Sequence, residues 1–199
     1  MIFFTSDHHF WHANVIKYCT RPFATVEEMN EMMVKYWNET VGPDDTVYCL
    51  GDFSMAFRSV EVYTRRLNGT KYLVPGNHDF CHSYHKKGRN EENRKIWIKK
   101  YEDNGWIVLP EQTTFDIPGV ATVNLCHHPY VLIDSRDDKY LKWRPKDDGR
   151  WLLCGHVHEK WKVVDKMINI GVDQWGFKPV SVQQIQDIIC MNTTVSQKK

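Results

Sequence analysis

Seven short apolar runs, at residues 2–5, 46–50, 71–74, 106–109, 121–126, 151–154 and 167–170, constrain this chain more than any other feature. Each is shorter than a buried helix and is bounded by turn residues, so each reads as a buried strand. Helical patterns lie between several of them. Over 25–40, Met29, Met32, Met33, Tyr36 and Trp37 fall on one helical face, and Thr25 with Glu28 forms a capping box at the start. That methionine stripe reads as core. Further helices are expected over 60–67, 92–101 and 180–189. Strands alternating with helices, then strands in quick succession, predict an α/β protein with mixed sheets. No repeat or linker divides the 199 residues. Residues 1–190 therefore read as one domain and 191–199 as a flexible C-terminal tail. The charged stretch 134–150 reads as a surface loop close to the strand ends.

Composition narrows the function classes. There are 26 Lys and Arg against 25 Asp and Glu, which argues against a surface built to grip long nucleic acid. Six cysteines stand at wide spacings without a C-x-x-C pair, and they read as buried, reduced thiols. The opening residues MIFFTSD lack the basic region of a signal peptide, and no apolar run reaches the ~18 residues that span a bilayer. A cytoplasmic protein without a membrane partner is expected.

Behind five of the runs stand clusters of Asp, Asn and His. Asp7 and His9 follow the first, Asp52 the second, and Asn77, His78 and Asp79 the third. His127 and His128 follow the fifth, and His156 and His158 the sixth. Taken singly, each cluster is an ordinary turn or a satisfied buried imidazole. Five coincidences of residue type with strand end are not, because open α/β sheets bind ligands at their strand ends. Gly51, Gly76 and Gly155 precede three of the clusters and let the chain turn sharply there.

Carboxylate, amide and imidazole without thiolate suit a catalytic Mn, Fe, Zn, Ni or Co centre. At least seven candidate ligands are too many for one ion and suit two. Two dications ~4 Å apart, at an effective dielectric of ~20, repel by roughly 16 kcal/mol, so a bridging anion is required.

The order Asp7-x-His9, Gly51-Asp52, Gly76-Asn77-His78-Asp79, His127-His128-Pro129, Gly155-His156-x-His158 resembles the calcineurin-like metallophosphoesterases. More narrowly, FTSDHHFWHANVI, RPF, DDTVYCLGDF and VDQWGFKPVS resemble the short bacterial and phage phosphoesterases of that superfamily. The resemblance implies a four-layer α/β/β/α sandwich of two mixed β-sheets flanked by helices, with the metal site at the strand ends. It implies one metal ion on Asp7, His9, Asp52 and His158, and a second on Asp52, Asn77, His127 and His156. Asp52 is then the bridging carboxylate. His127 is chosen over His128 by analogy with an H-x-P block; the residues alone leave both open. His78 would face the substrate as proton donor or charge stabiliser, oriented by Asp79.

Asp7, Asp52 and a bridging hydroxide set three negative charges against four positive, a site of about +1. In-line attack of that hydroxide on a phosphate ester is the expected reaction. A monoanionic diester matches the charge, so a phosphodiesterase acting on small or nucleotide-like substrates is expected ahead of a phosphomonoesterase or protein phosphatase. His12 and Arg21 are candidate substrate contacts, and Arg136, Lys139 and Arg144 could close over the leaving group. A metallo-β-lactamase site would need H-x-H-x-D-H, but Glu159, Lys160 and Trp161 follow His158. An HD-type hydrolase would leave four clusters unexplained. A nuclease would call for additional basic segments, and a non-catalytic binding module for lost ligands.

Overall fold

The computed structural model describes residues 1–131 and 139–196. Among these, ten strands form two five-stranded sheets: β1 (Ile2–Thr5), β2 (Thr46–Cys49), β3 (Thr70–Leu73), β4 (Trp106–Val108), β5 (Gln112–Ile117), β6 (Ala121–Cys126), β7 (Leu152–Cys154), β8 (Val163–Val164), β9 (Met167–Asn169) and β10 (Val180–Ser181). The first sheet has the order β10-β1-β2-β3-β4 and the second β5-β6-β7-β9-β8. Strands β1 to β4 run parallel, and β10 pairs antiparallel with β1. In the second sheet β6, β7 and β9 are parallel, with antiparallel β5 and β8 at the edges. Both sheets are therefore mixed, as expected.

Alternation along the strands assigns the faces. Phe3, Val47, Cys49 and Leu73 point to one side of the first sheet. There they pack with residues of α1 (Ala13–Tyr18), α2 (Val26–Thr40), α3 (Phe57–Thr64) and α4 (Glu91–Glu102). Phe4, Leu50 and Val74 point to the other side and meet Val123, Leu125, Leu153 and Ile168 of the second sheet, together with Ile185 and Ile189 of α5 (Val182–Ser196). The remaining face of the second sheet buries Cys126, Leu152, Cys154 and Met167 with Tyr130.

The capping box forms at α2: Thr25 Oγ1 accepts from the Glu28 amide at 3.1 Å, and Glu28 Oε2 accepts from the Ala24 amide at 2.7 Å. Met29, Met33 and Trp37 are buried on its inner face. The sequence reading misses α1, β5, β8 and β10. Strands β8 and β10 have two residues each, and β5 carries Thr and Asp among its apolar residues, so no apolar run marks them. Val180 and Ser181 pair with β1 instead of opening the last helix, which then continues to Ser196. A loose tail from Met191 is thus not observed as far as Ser196, and the final three residues lie outside the described part. Cys19, Cys49, Cys81, Cys126 and Cys154 are buried and Cys190 is exposed, with no disulfide among the described residues. No described helix is long and apolar enough to cross a membrane.

Candidate metal centre

Parallel strands β1, β2 and β3 end side by side, as do β6 and β7 in the facing sheet. The turns that follow are stitched to one another. The Asp7 amide donates to the Gly51 carbonyl at 3.0 Å, the His9 amide to the Asp52 carbonyl at 3.0 Å, and the Gly155 amide to the His127 carbonyl at 3.0 Å. The His156 amide reaches across to Asp7 Oδ2 at 3.0 Å. All five clusters predicted from the sequence therefore meet at one edge of the sandwich.

These turns hold unfavourable backbone. Nine non-glycine residues among those described have positive φ, and five of them are Asp7, His9, Asp52, His156 and His158. Left-handed backbone costs a side-chain-bearing residue about 1–3 kcal/mol, and it collects where function demands it. The glycines serve two different needs. Gly51 has φ +86°, but Gly76 and Gly155 provide space: a Cβ on Gly76 would lie 2.4 Å from Asp52 Oδ1, and one on Gly155 2.4 Å from Asp7 Oδ2.

The side chains converge on two groups around Asp52. Asp7 Oδ1 lies 3.9 Å from His9 Nε2 and 4.0 Å from His158 Nε2. Asp52 Oδ2 lies 3.6 Å from His9 Nε2 and 3.3 Å from His127 Nε2. His127, His128 and His156 also place ring nitrogens within 4.8 Å of one another. The four carboxylate–imidazole pairs, 3.3–4.0 Å apart, are close enough for both atoms to stand about 2.1 Å from a shared cation. His9 Nε2, Asn77 Oδ1 and His127 Nε2 are buried without a hydrogen-bond partner, as are both ring nitrogens of His128, His8 Nδ1 and Asn30 Nδ2; such atoms are rare in a protein interior, and five of these seven belong to the strand-end clusters. The donor set fits divalent transition-metal ions.

Electrostatics agree with a cation. Burial raises the Asp7 carboxyl, while His158 and His127 pull it down less strongly. Burial drives His9 and His156 well below the usual imidazole range, leaving them in the neutral form that binds metals. Burial alone would also lower His127, yet the Asp52 carboxylate beside it pushes it up to about 9. His158, beside Asp7 and Asp173, is likewise pushed up to about 11, so without a metal ion two protonated imidazoles hold the charge that a bound cation would supply.

Three of the imidazoles have a support of their own. His127 Nδ1 faces the Leu50 carbonyl at 2.7 Å, His9 Nδ1 faces His12 Nδ1 at 3.2 Å, and His158 Nδ1 faces Asp173 Oδ2 at 3.3 Å. His12, expected to touch substrate, thus backs His9. His78 opens to solvent with 38% of its side chain exposed, its Nε2 3.9 Å from Asp52 Oδ2 and its ring centroid 5.3 Å from that of His9.

Three expectations need correction. Asp79 does not orient His78: its buried carboxylate accepts the amides of Asp52 and Gly76, each at 2.8 Å, and so staples two ligand turns together. Burial and the charge of Asp52 lift it to about 7. Arg21 does not face the opening. Its buried guanidinium binds both oxygens of Asp173 at 2.8 Å and donates to the carbonyls of Asp7 at 2.7 Å and His8 at 3.0 Å. Arg144 is buried with Nη1 on the Pro129 carbonyl at 2.7 Å, and Lys139 lies over the Tyr140 ring. Arg136 lies outside the described residues. Asp173 itself escaped the sequence reading, although it stands in the VDQW segment; an acid flanked by Val and Gln, without a second ligand-type residue, carries no metal signal of its own.

The sequence matches the family described as Calcineurin-like phosphoesterase over residues 1–160. It is 31% identical to the Gene 66 protein of Mycobacterium phage L5, covering 94% of this chain and 92% of that protein. It is 33% identical to an uncharacterized protein of Methanocaldococcus jannaschii, covering 94% and 90%. The fold is similar to the crystal structure of a protein of unknown function from Aquifex aeolicus, with a TM-score of 0.67, 25% identity, and coverage of 95% and 99%. Four-fifths of the chain matches the family, and every strand-end cluster falls inside that part, so the protein belongs to the calcineurin-like phosphoesterases, hydrolases that act on phosphate esters.

Proposed function

We propose that the protein is a binuclear metal-dependent phosphohydrolase, with a preference for phosphodiesters that are small or nucleotide-like. The observation that carries this reading is that His9 Nε2 and His127 Nε2, buried without hydrogen-bond partners, lie 3.6 Å and 3.3 Å from Asp52 Oδ2. Asp7, His9, Asp52 and His158 would hold one ion, and Asp52, Asn77, His127 and His156 the other. Such ions, drawn from Mn, Fe, Zn, Ni or Co, supply Lewis acidity toward the phosphoryl oxygens and lower the pKa of water.

The chain's own residues do the rest. Asp52, between the two groups, offsets their mutual repulsion. The left-handed turns hold the ligands in place before substrate arrives, so little reorganisation remains for the reaction. His78, the solvent-facing histidine at the rim, is placed to donate a proton to the leaving oxygen. The placement of Arg21 supports the diester preference. Its charge is neutralised by Asp173, so it adds nothing to a site of about +1, and a dianionic monoester lacks that further cation.

The test compares kcat/KM for a bis-aryl phosphate and an aryl phosphate after Mn²⁺ reconstitution. Faster diester turnover is expected, and activity should vanish on chelation. Faster monoester turnover would overturn the diester preference, and turnover that survives complete metal removal would overturn the whole reading.

A further inference from the structure

Within that metal-site reading, on which this inference rests, we infer that Asp173 is a positioning residue: clamped by Arg21, it fixes the ring of His158 with Nε2 toward the first metal site. The argument starts from the carboxylate. Arg21 donates Nε to Asp173 Oδ1 and Nη2 to Oδ2, each at 2.8 Å, a bidentate pair buried on both sides. Such a pair holds its carboxylate as an anion and fixes its plane.

An anionic Oδ2 only accepts, so the nitrogen facing it at 3.3 Å, His158 Nδ1, carries the proton. In the neutral, metal-binding form Nε2 is then the nitrogen with the lone pair, and it lies 4.0 Å from Asp7 Oδ1. That is the tautomer and orientation a metal ligand requires. The same segment also holds the backbone of His158: its carbonyl accepts from Asn169 Nδ2 at 2.7 Å and Gln174 Nε2 at 3.1 Å, where φ is +48°.

Arg21 meanwhile ties down the carbonyls of Asp7 and His8, the strand-end turn that carries Asp7 and His9. One ion pair therefore reaches three ligands of the first group. Cys19, His158 and Asp173 also lie within 4.8 Å of one another, a spacing a separate metal could use. The guanidinium on both Asp173 oxygens argues against it, since it would repel a dication there.

The experiment titrates metal-stripped protein with Co²⁺, reading ion count by elemental analysis and coordination from the visible spectrum. Wild type is compared with Asp173→Asn, His158→Ala and the double variant. Wild type is expected to bind two ions. Asp173→Asn should weaken one of them by about 10–100-fold, change its spectrum, and leave the other unaltered. In the His158→Ala background Asp173→Asn should add nothing further. Because Asp173→Asn strands a buried arginine, Arg21→Gln/Asp173→Asn provides a neutral pair, and it should show the same selective weakening. Wild-type affinity for both ions in that neutral pair would overturn the inference, as would a full further loss in the His158→Ala background. Wild type that binds no cobalt would instead overturn the metal-site reading itself.

Discussion

The Asp7–His9–His158 side of the proposed centre and the Asn77–His127–His156 side use the same donor chemistry but are braced differently. On the first side, side chains back the ligands: Asp173 and Arg21 behind His158, and His12 behind His9. On the second, the main chain does so through the Leu50 carbonyl behind His127. Around it stands a stack of rings, with His128 4.7 Å from His156 and Tyr140 4.8 Å from His156, centroid to centroid. A main-chain carbonyl just past the end of β2 is held by the fold itself, whereas an ion pair between residues 21 and 173 can be removed by one substitution. The first side is therefore the one that point mutations can loosen without unfolding the strand ends.

The largest expected effect is where the comparison ends, at the residue both sides share. Asp52→Asn should lose both ions, because the neutral amide no longer offsets their repulsion, and turnover should fall by at least about 10³-fold. Two ions retained with near-normal turnover would break the division into two groups around one bridge.

His78→Ala comes next and belongs to neither side. It should keep both ions yet lose roughly 10²–10⁴ in kcat, the range of a positioned proton donor. The loss should shrink for nitrophenolate leaving groups, which need little protonation. An equal loss for every leaving group would make His78 a charge stabiliser instead.

The two glycines sharpen the comparison at smaller cost. A methyl on Gly155 would meet Ser6 Oγ at 2.1 Å and Asp7 Oδ2 at 2.4 Å, so Gly155→Ala strikes the first side. One on Gly76 would meet Asp52 Oδ1 at 2.4 Å and His127 Nδ1 at 2.8 Å, so Gly76→Ala strikes the bridge and the second side. Each should cost about 1–3 kcal/mol in stability, read by thermal melts. Metal titration should separate them, with one ion weakened by Gly155→Ala and both by Gly76→Ala. Identical metal profiles would mean that the two sides are not independent.

What the sequence made legible follows the range of the forces involved. The seven proposed ligands stand behind apolar runs, and a parallel sheet must bring such strand ends together, so periodicity and chemistry made their meeting at one edge legible. The roles of Arg21, Asp79 and Asp173 were not legible. Each is set by partners far along the chain, 152 residues away for Arg21 and 27 for the Asp79 bond to the Asp52 amide. A motif block places a residue near the site but not the direction its side chain takes. For Asp79, adjacency to His78 suggested a pair, whereas the tight turn aims the carboxylate inward at main-chain amides. Strand β10 was hidden for a different reason: two residues ahead of a helical pattern read as its first turn until β1 claims them as an edge.

The smallest expected effect settles a choice the residues alone leave open, between His127 and His128. Both are fully buried, and both lie within ligand distance of His156. His127 directs Nε2 at Asp52 and anchors Nδ1 on a carbonyl, the two-ended arrangement of a metal ligand. His128 has neither ring nitrogen hydrogen-bonded, and burial holds it far below the usual imidazole range, so it is neutral. Its ring stacks on Tyr140 at 4.9 Å and packs edge-on against His82 at 5.8 Å. We therefore expect it to act as an aromatic filler behind His156. His128→Phe keeps that ring, nearly conserves volume and removes two unsatisfied polar atoms, so stability should change by less than about 1.5 kcal/mol, in the stabilising direction. Both ions and near wild-type kcat should remain, while His127→Ala loses the second ion. Loss of an ion from His128→Phe, counted by elemental analysis on protein whose melting temperature is unchanged, would make His128 a ligand. The second side of the centre would then hold three histidines rather than two.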